Sequence, residues 1–477
     1  MNDAPEADDR QLLRILGPNV AIAMVVGNVI GAGIFMKPAE AVKAAGSFPV
    51  VMGAWTVGGL ICFLGALCFA ELAVMFPRAG GMYVYLREAY GLPVAFLFGW
   101  SEFIFGRPAS IGALATGVVL QFGPILRRDF SPVVEVTSAV ALIAILAAVN
   151  VFGVIWGGRT QVATTFVKAG FLAFLALLPW LVMLAGGAGV ERANFQSSVT
   201  PERIGFAAQF AGALLAIMWA YNGWHAVTPL AEELRNPQRT IPWALFTGLT
   251  LLVVLYLGVN VAYHGVLDMP EIAGAGIELP QVMLERLLTP WGSGAAQAGI
   301  AVISFVAICS MLGAINANMM NGPRIAYAMG RDRIFFGALG QIHARFRTPA
   351  IAIVVQAVLS SVLVIASAVL VRTAAAFRET SVFEILTNSV IFVATVVYML
   401  VVGAVLVLRI RDPDRERPFR TPGYPLLPIL FLLLNVWFLY HLYAHEATRS
   451  EANIGLLITL AGLPVYAVFR YRLKTEG

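Results

Sequence analysis

Charge is what this chain has least of. Only 12% of its 477 residues are Asp, Glu, Lys or Arg, about half the ~25% of an ordinary soluble domain. Too little charge is present to coat a water-soluble surface. Cysteine is also scarce: Cys62, Cys68 and Cys309 all fall inside apolar stretches and none in a loop, which argues against a disulfide framework and against a loop disulfide to an accessory subunit. No Lys/Arg run or basic helix accompanies the net charge of +5, so nucleic acid is not an expected partner. The five histidines are scattered, and no metal-ligand spacing, phosphate loop or dinucleotide fingerprint appears. Neither metal nor cofactor is therefore expected, and an enzyme is the class with least support. The opening MNDAPEADDRQLLR is acidic and lacks the basic start of a signal peptide.

What the chain has is apolar length. Hydrophobic residues make up 59% of it and the mean hydropathy is +0.81. One soluble core could not bury that much surface, whereas lipid would solvate the outside of spanning helices. Segments of about 20 apolar residues, the length that crosses a bilayer, recur at 17–41, 48–76, 94–120, 132–151, 161–186, 205–230, 240–264, 293–320, 349–371, 381–408, 426–443 and 453–470. The expectation is an all-α integral membrane protein of twelve spans. An even count puts both termini on one side. The loops and tails of that side carry twenty Lys and Arg against ten on the other. The excess places both termini in the cytoplasm of a multi-pass cell-membrane protein.

Two spans carry signs of a break. The first reads Val26-Gly27-Asn28-Val29-Ile30-Gly31-Ala32-Gly33-Ile34-Phe35, with two glycines flanking a small residue at mid-membrane. Alone, this motif fits close helix packing through small residues at least as well as an unwound stretch. The sixth reads Trp219-Ala220-Tyr221-Asn222-Gly223-Trp224-His225, with Pro229 beyond it. Freed backbone at membrane depth is tolerated only where it is buried in protein or lines a cavity. Interrupted spans at corresponding positions of two halves point to a transporter site between inverted repeats. The expected organisation is a tail over 1–16, a transport core over 17–408 built from repeats 17–186 and 205–408, two extra C-terminal spans over 409–470, and a tail over 471–477. Half-helix N-termini attract a carboxylate, and broken C-terminal ends offer bare carbonyls to a cation. An α-amino acid carries both groups.

The run from Gly27 to Phe35 resembles the first-span motif of the amino acid–polyamine–organocation superfamily. Further similarity lies in Phe69-Ala70-Glu71-Leu72, in Pro77-Arg78-Ala79-Gly80-Gly81, in Trp156-Gly157-Gly158-Arg159 with Gln161 and Lys168, in Glu232-Glu233 with Asn236-Pro237, and in Arg417-Pro418-Phe419. Glu102 with Gly106-Arg107-Pro108-Ala109-Ser110 looks like the L-type (LAT) branch. The similarity runs along nearly the whole chain. It implies a five-plus-five inverted-repeat fold working by alternating access. The substrate carboxylate would be held by amides at Gly31, Ala32 and Gly33, with Ile30 inside the same break. The ammonium would be held by carbonyls of Val29, Trp219, Ala220 and Asn222, with Trp219 as the gating aromatic. Family members often carry Phe at the place of Trp219, Gly at that of Asn222 and Ser at that of Ala32, so side-chain specificity does not carry over. Asn316 falls where similar proteins face the substrate.

Among the charged residues inside spans, three bear on function. Lys168 reads either as a functional cation at depth or as a lysine snorkelling to the interface. By resemblance it matches a lysine that stands in for the sodium ion of coupled relatives, which implies sodium-independent exchange. Glu102 and Arg107 are five residues apart, too far for an ideal i,i+4 pair. Pairing with another helix is expected of them, with proton coupling as the other role. His225 is expected to be satisfied by a neighbour. The leading reading is exchange of neutral L-amino acids. A proton-coupled symporter through Glu102 or His225, a cationic amino acid or polyamine carrier, and a non-transporting amino acid sensor are the alternatives.

Overall fold

The computed structural model describes residues 12, 14–31, 33–126, 128, 130–201, 205–373 and 382–476. Among them the chain is helical apart from turns and two isolated bridges, Leu16 with Leu234 and Ser47 with Ser198.

The first predicted span is two helices, α1 (Pro18–Val29) and α2 (Gly33–Ala45), bent by 41° across the break. The second is α3 (Phe48–Met75). A short helix absent from the sequence reading, α4 (Met82–Tyr90), follows the Gly80-Gly81 turn, where both glycines take positive φ. The third span is α5 (Leu92–Ser101) and α6 (Arg107–Leu126), joined by a π-helical turn over Glu102–Gly106. Helix α7 (Pro132–Val151) starts with Pro at its first position and Ser131 as cap, the hydroxyl accepting from Val134 N–H at 3.4 Å. Helix α8 (Val154–Leu184) carries Lys168. The sixth span is only α9 (Phe206–Tyr221), continued by 3₁₀ turns over Trp224–Glu233. Then come α10 (Pro237–Val266), the short α11 (Met269–Ala275) and α12 (Leu279–Leu288), and the long α13 (Ser293–Arg331). Helices α14 (Ala350–Thr373), α15 (Val382–Arg411) and α16 (Leu426–Ala444) match predicted spans nine to eleven. The twelfth is divided between α17 (Glu446–Leu460) and α18 (Gly462–Glu476).

By length and composition, nine helices among the described residues can cross a membrane, or ten if α1 and α2 count as one bent span. The sixth span falls short of that test because it stops being α-helical at Asn222, and the twelfth because it divides. Phe166 and Leu184 stand 82% and 86% exposed. Water would not tolerate such a face over many helices, and lipid does. The chain is a multi-pass membrane protein. One continuous apolar core joins α1, α3, α6, α9, α10 and α13, and the two breaks lie inside it.

Candidate binding site

Glycine chemistry sets the two breaks face to face. Helix α1 loses its pattern after Val29, where Ile30 N–H still reaches Val26 but Gly31 N–H turns back to Val29 at 2.7 Å. The chain resumes helical form at Gly33. A Cβ on Gly33 would sit 2.5 Å from Ala220 Cα, so only glycine lets α2 press against the end of α9. There Asn222 is extended and Gly223 takes a φ of 102°, a left-handed geometry that suits glycine. Asn28 Nδ2 donates to the Gly223 carbonyl at 3.0 Å, tying the breaks together. The Tyr256 hydroxyl, on α10, lies 3.1 Å from the Val29 carbonyl and 3.2 Å from the Ala220 carbonyl. A tyrosine in an apolar span carries no local sign of this role, and the sequence reading missed it.

Both breaks line one cavity of about 50 Å³. Its walls include Asn28, Val29, Gly31, Gly33, Trp219, Asn222 and Gly223 from the breaks, Arg107, Ser110 and Leu114 from α6, and Ala314 and Asn318 from α13. That volume would hold a few waters or a small solute. Five of the predicted residues, Val29, Gly31, Gly33, Trp219 and Asn222, therefore meet at one place. Ile30 and Ala220 are buried in the breaks behind it. Ala32 lies outside the described residues.

Lys168 is wholly buried, which rules out a snorkelling ammonium. Its Nζ donates to the Gly27 carbonyl, to the Ile30 carbonyl at 2.8 Å and to the Ser310 carbonyl at 3.3 Å. The Ser310 hydroxyl donates to the Ile30 carbonyl at 2.8 Å and is 3.2 Å from that of Gly31. One ammonium thus gathers the broken C-terminal end of α1 and the backbone of α13, where the negative end of the helix dipole favours a cation.

Two expectations need correction. Asn316 does not line the cavity. It is buried between α7 and α8, accepting from Asn150 Nδ2 at 2.9 Å and donating to Gln161 Oε1 at 3.3 Å. Two residues on, about 200° round the helix, Asn318 is the asparagine at the cavity. Glu102 and Arg107 were expected to pair with another helix and not with each other. The first holds for Arg107, but Arg107 Nε also donates to Glu102 Oε2 at 2.7 Å. The cause is the π-helical turn, whose i to i+5 bond from Arg107 N–H to the Glu102 carbonyl stacks residues five apart. Arg107 also reaches across to Asn318 Oδ1 at 2.9 Å and His225 Nε2 at 2.9 Å. His225 is satisfied on both sides, its Nδ1 lying 3.2 Å from the Tyr398 hydroxyl.

Comparison with known proteins agrees with this architecture. The amino acid permease family matches residues 16–463. The serine/threonine exchanger SteT of Bacillus subtilis (strain 168) is 30% identical over 463 residues, 96% of this chain and 97% of that protein. The human b(0,+)-type amino acid transporter 1 is 29% identical over 97% of this chain and 89% of its own. The mouse large neutral amino acids transporter small subunit 2 is 30% identical over 95% of this chain and 81% of its own. A match that begins before the first break and runs past α17 leaves no large part of the chain outside it, and the chain belongs to the amino acid permease family.

Proposed function

We propose that this protein exchanges neutral L-amino acids across the cell membrane by alternating access, without sodium. The observation that carries the reading is the buried Lys168 ammonium on the carbonyls of Gly27, Ile30 and Ser310. A covalently fixed cation there does the electrostatic work of a bound ion, and no ion gradient is then spent on moving substrate. Relatives with 29–30% identity bear exchanger and amino acid transporter names, which supports the class of cargo.

In this reading the amides of Gly31, Ala32 and Gly33, in the stretch leading into α2, take the substrate carboxylate, since a helix N-terminus carries positive partial charge. Carbonyls of Val29, Trp219, Ala220 and Asn222 take the ammonium, and Trp219 covers the cavity. Glu102 with Arg107 serves as a structural network beside it. Around this site we place twelve spans, arranged as inverted repeats over 17–186 and 205–408 with two further spans over 409–470. Both termini are cytoplasmic, and no disulfide-linked subunit takes part.

The test is counterflow in liposomes holding the purified protein, with labelled alanine, leucine and arginine, with and without sodium. Uptake is expected to need internal amino acid, to ignore sodium and to favour alanine and leucine over arginine. Lys168→Ala is expected to fall at least tenfold in rate. Uptake into empty vesicles driven by a sodium or pH gradient would make the protein a symporter and leave Lys168 a structural role.

A further inference from the structure

A second cavity, of about 270 Å³, carries an imbalance of charge. Its wall holds three cations, Arg78, Arg87 and Arg331, against two anions, Glu232 and Asp332. Both anions are already engaged. Asp332 accepts from Arg87 Nη1 at 2.6 Å and from the Tyr83 hydroxyl at 2.5 Å. Glu232 accepts from Ala79 N–H at 3.1 Å and from Arg331 Nη1 at 3.3 Å. Arg78 is exposed, and its side chain has no hydrogen bond or ion pair among the described residues. Arg331 is 53% exposed, and a guanidinium has five N–H donors, so donors are left over there as well. The cavity keeps a surplus of positive charge and room for a carboxylate.

The chain itself brings carboxylates to this place. Leu12 is buried in a small cluster with Ala79 and Tyr327, and Ala79 and Tyr327 also line the cavity. The residues just before Leu12 read Asp3-Ala4-Pro5-Glu6-Ala7-Asp8-Asp9-Arg10-Gln11, four acids to one base. Asp9 and Asp8 stand three and four positions from Leu12, a reach of up to ~10 and ~14 Å along an extended chain. A group tethered that closely has an effective concentration of about millimolar or more, which favours it over a free anion.

We infer that this cavity is the docking site of the chain's own N-terminal carboxylates, with Asp8 and Asp9 on Arg78 and Arg331, and that the contact restrains exchange. The cavity joins the turn after α3 at Arg78, helix α4 at Arg87, the end of the 3₁₀ segment at Glu232 and the end of α13 at Arg331. Alternating access needs such helix ends to part, and carboxylates laid across Arg78 and Arg331 hold two of them together. The restraint rests on the exchanger reading, whereas the contact does not.

Crosslinking tests the contact and counterflow tests the restraint. Arg78→Lys keeps the charge and supplies an amine, which a carbodiimide joins as an amide to a carboxylate touching it, the carbodiimide taking up the water lost. In the purified full-length protein, peptide mass spectrometry is expected to find residue 78 joined to Asp8 or Asp9. The link is expected to vanish at about 1 M salt, where charges are screened beyond ~3 Å. A residue 78 joined only to Glu232 or Asp332, or to nothing, overturns the contact. In liposomes at low ionic strength, Asp8→Asn with Asp9→Asn is expected to exchange about two- to fivefold faster than the wild type, the scale of one or two half-exposed ion pairs. Arg78→Gln is expected to give the same gain, and the combined variant no more than either, because both remove one contact. Unchanged rates, or gains that multiply, overturn the restraint. Failure of the wild type to exchange any amino acid would instead overturn the exchanger reading, and the crosslink would still decide the contact.

Discussion

Gly31 and Gly33 look alike in the sequence, two glycines flanking Ala32, and the structure gives them different duties. A Cβ at Gly33 would meet Ala220 Cα at 2.5 Å, backbone that cannot step aside. At Gly31 the nearest atom would be Ala314 Cβ at 3.5 Å, an ordinary contact. Overpacking a tight site costs about 1–3 kcal/mol. Gly33→Ala should therefore lower the melting temperature of the purified protein in detergent, while Gly31→Ala should leave it within error of the wild type. Equal melting of the two would show that the breaks are not held together by close approach at Gly33. The glycine pattern was legible in the sequence because glycine is the one residue whose absence of side chain is itself the signal. Which glycine faces the other break was not, since that depends on a partner 187 positions away.

At the scale of elements, the sequence announced the breaks at Asn28–Gly33 and Asn222–Gly223 through residues that disfavour helix. Features made by regular-looking residues stayed hidden. The π-helical turn at Glu102–Gly106 contains Phe-Ile-Phe and no proline, so nothing local distinguishes it from an α-helix, and the Glu102–Arg107 pair went unpredicted. Tyr256 and Tyr398 sit in apolar spans and read as core. Their hydroxyls find partners on elements set by the tertiary fold, with Tyr256 bridging the carbonyls of Val29 and Ala220. One hydroxyl proton is shared there by two carbonyls that are proposed to take the substrate ammonium. Tyr256→Phe keeps the edge-to-face contact with Trp55 at 5.5 Å and loses only that link. The expected result is a several-fold rise in apparent KM for exchange, matching about 1 kcal/mol for a hydrogen bond, with maximal rate and melting temperature little changed. A rise in neither would mean that the carbonyls hold their directions without it.

Across the whole molecule, ion pairs gather the charged helix ends on one face. Glu71 near the end of α3 takes a bidentate contact from Arg409 near the end of α15, at 2.9 and 2.8 Å. Arg324 and Glu233, each no more than 2% exposed, join the tail of α13 to the end of the 3₁₀ segment at 2.7 Å. Arg331 reaches Glu232, and Arg87 reaches Asp332 at 2.6 Å. Helix α13 has 39 residues, about 58 Å at 1.5 Å each against a hydrocarbon core of ~30 Å, so part of it must stand outside the lipid. This face also carries Arg78, Arg333 and Arg415, and that excess of cations is what supports the proposed cytoplasmic placement. Single cysteines test that orientation cleanly because Cys62 and Cys68 are buried and Cys309 is replaced by alanine in the background. Gln238→Cys and Asp414→Cys lie on the face of the ion pairs, and Glu191→Cys and Ser293→Cys beyond the opposite helix ends, all at exposed positions. In intact cells a membrane-impermeant maleimide is expected to label positions 191 and 293, and to reach 238 and 414 only after permeabilisation. The reverse pattern would turn the molecule over in the membrane. Labelling of all four in intact cells would mean that the chain crosses it fewer times than proposed.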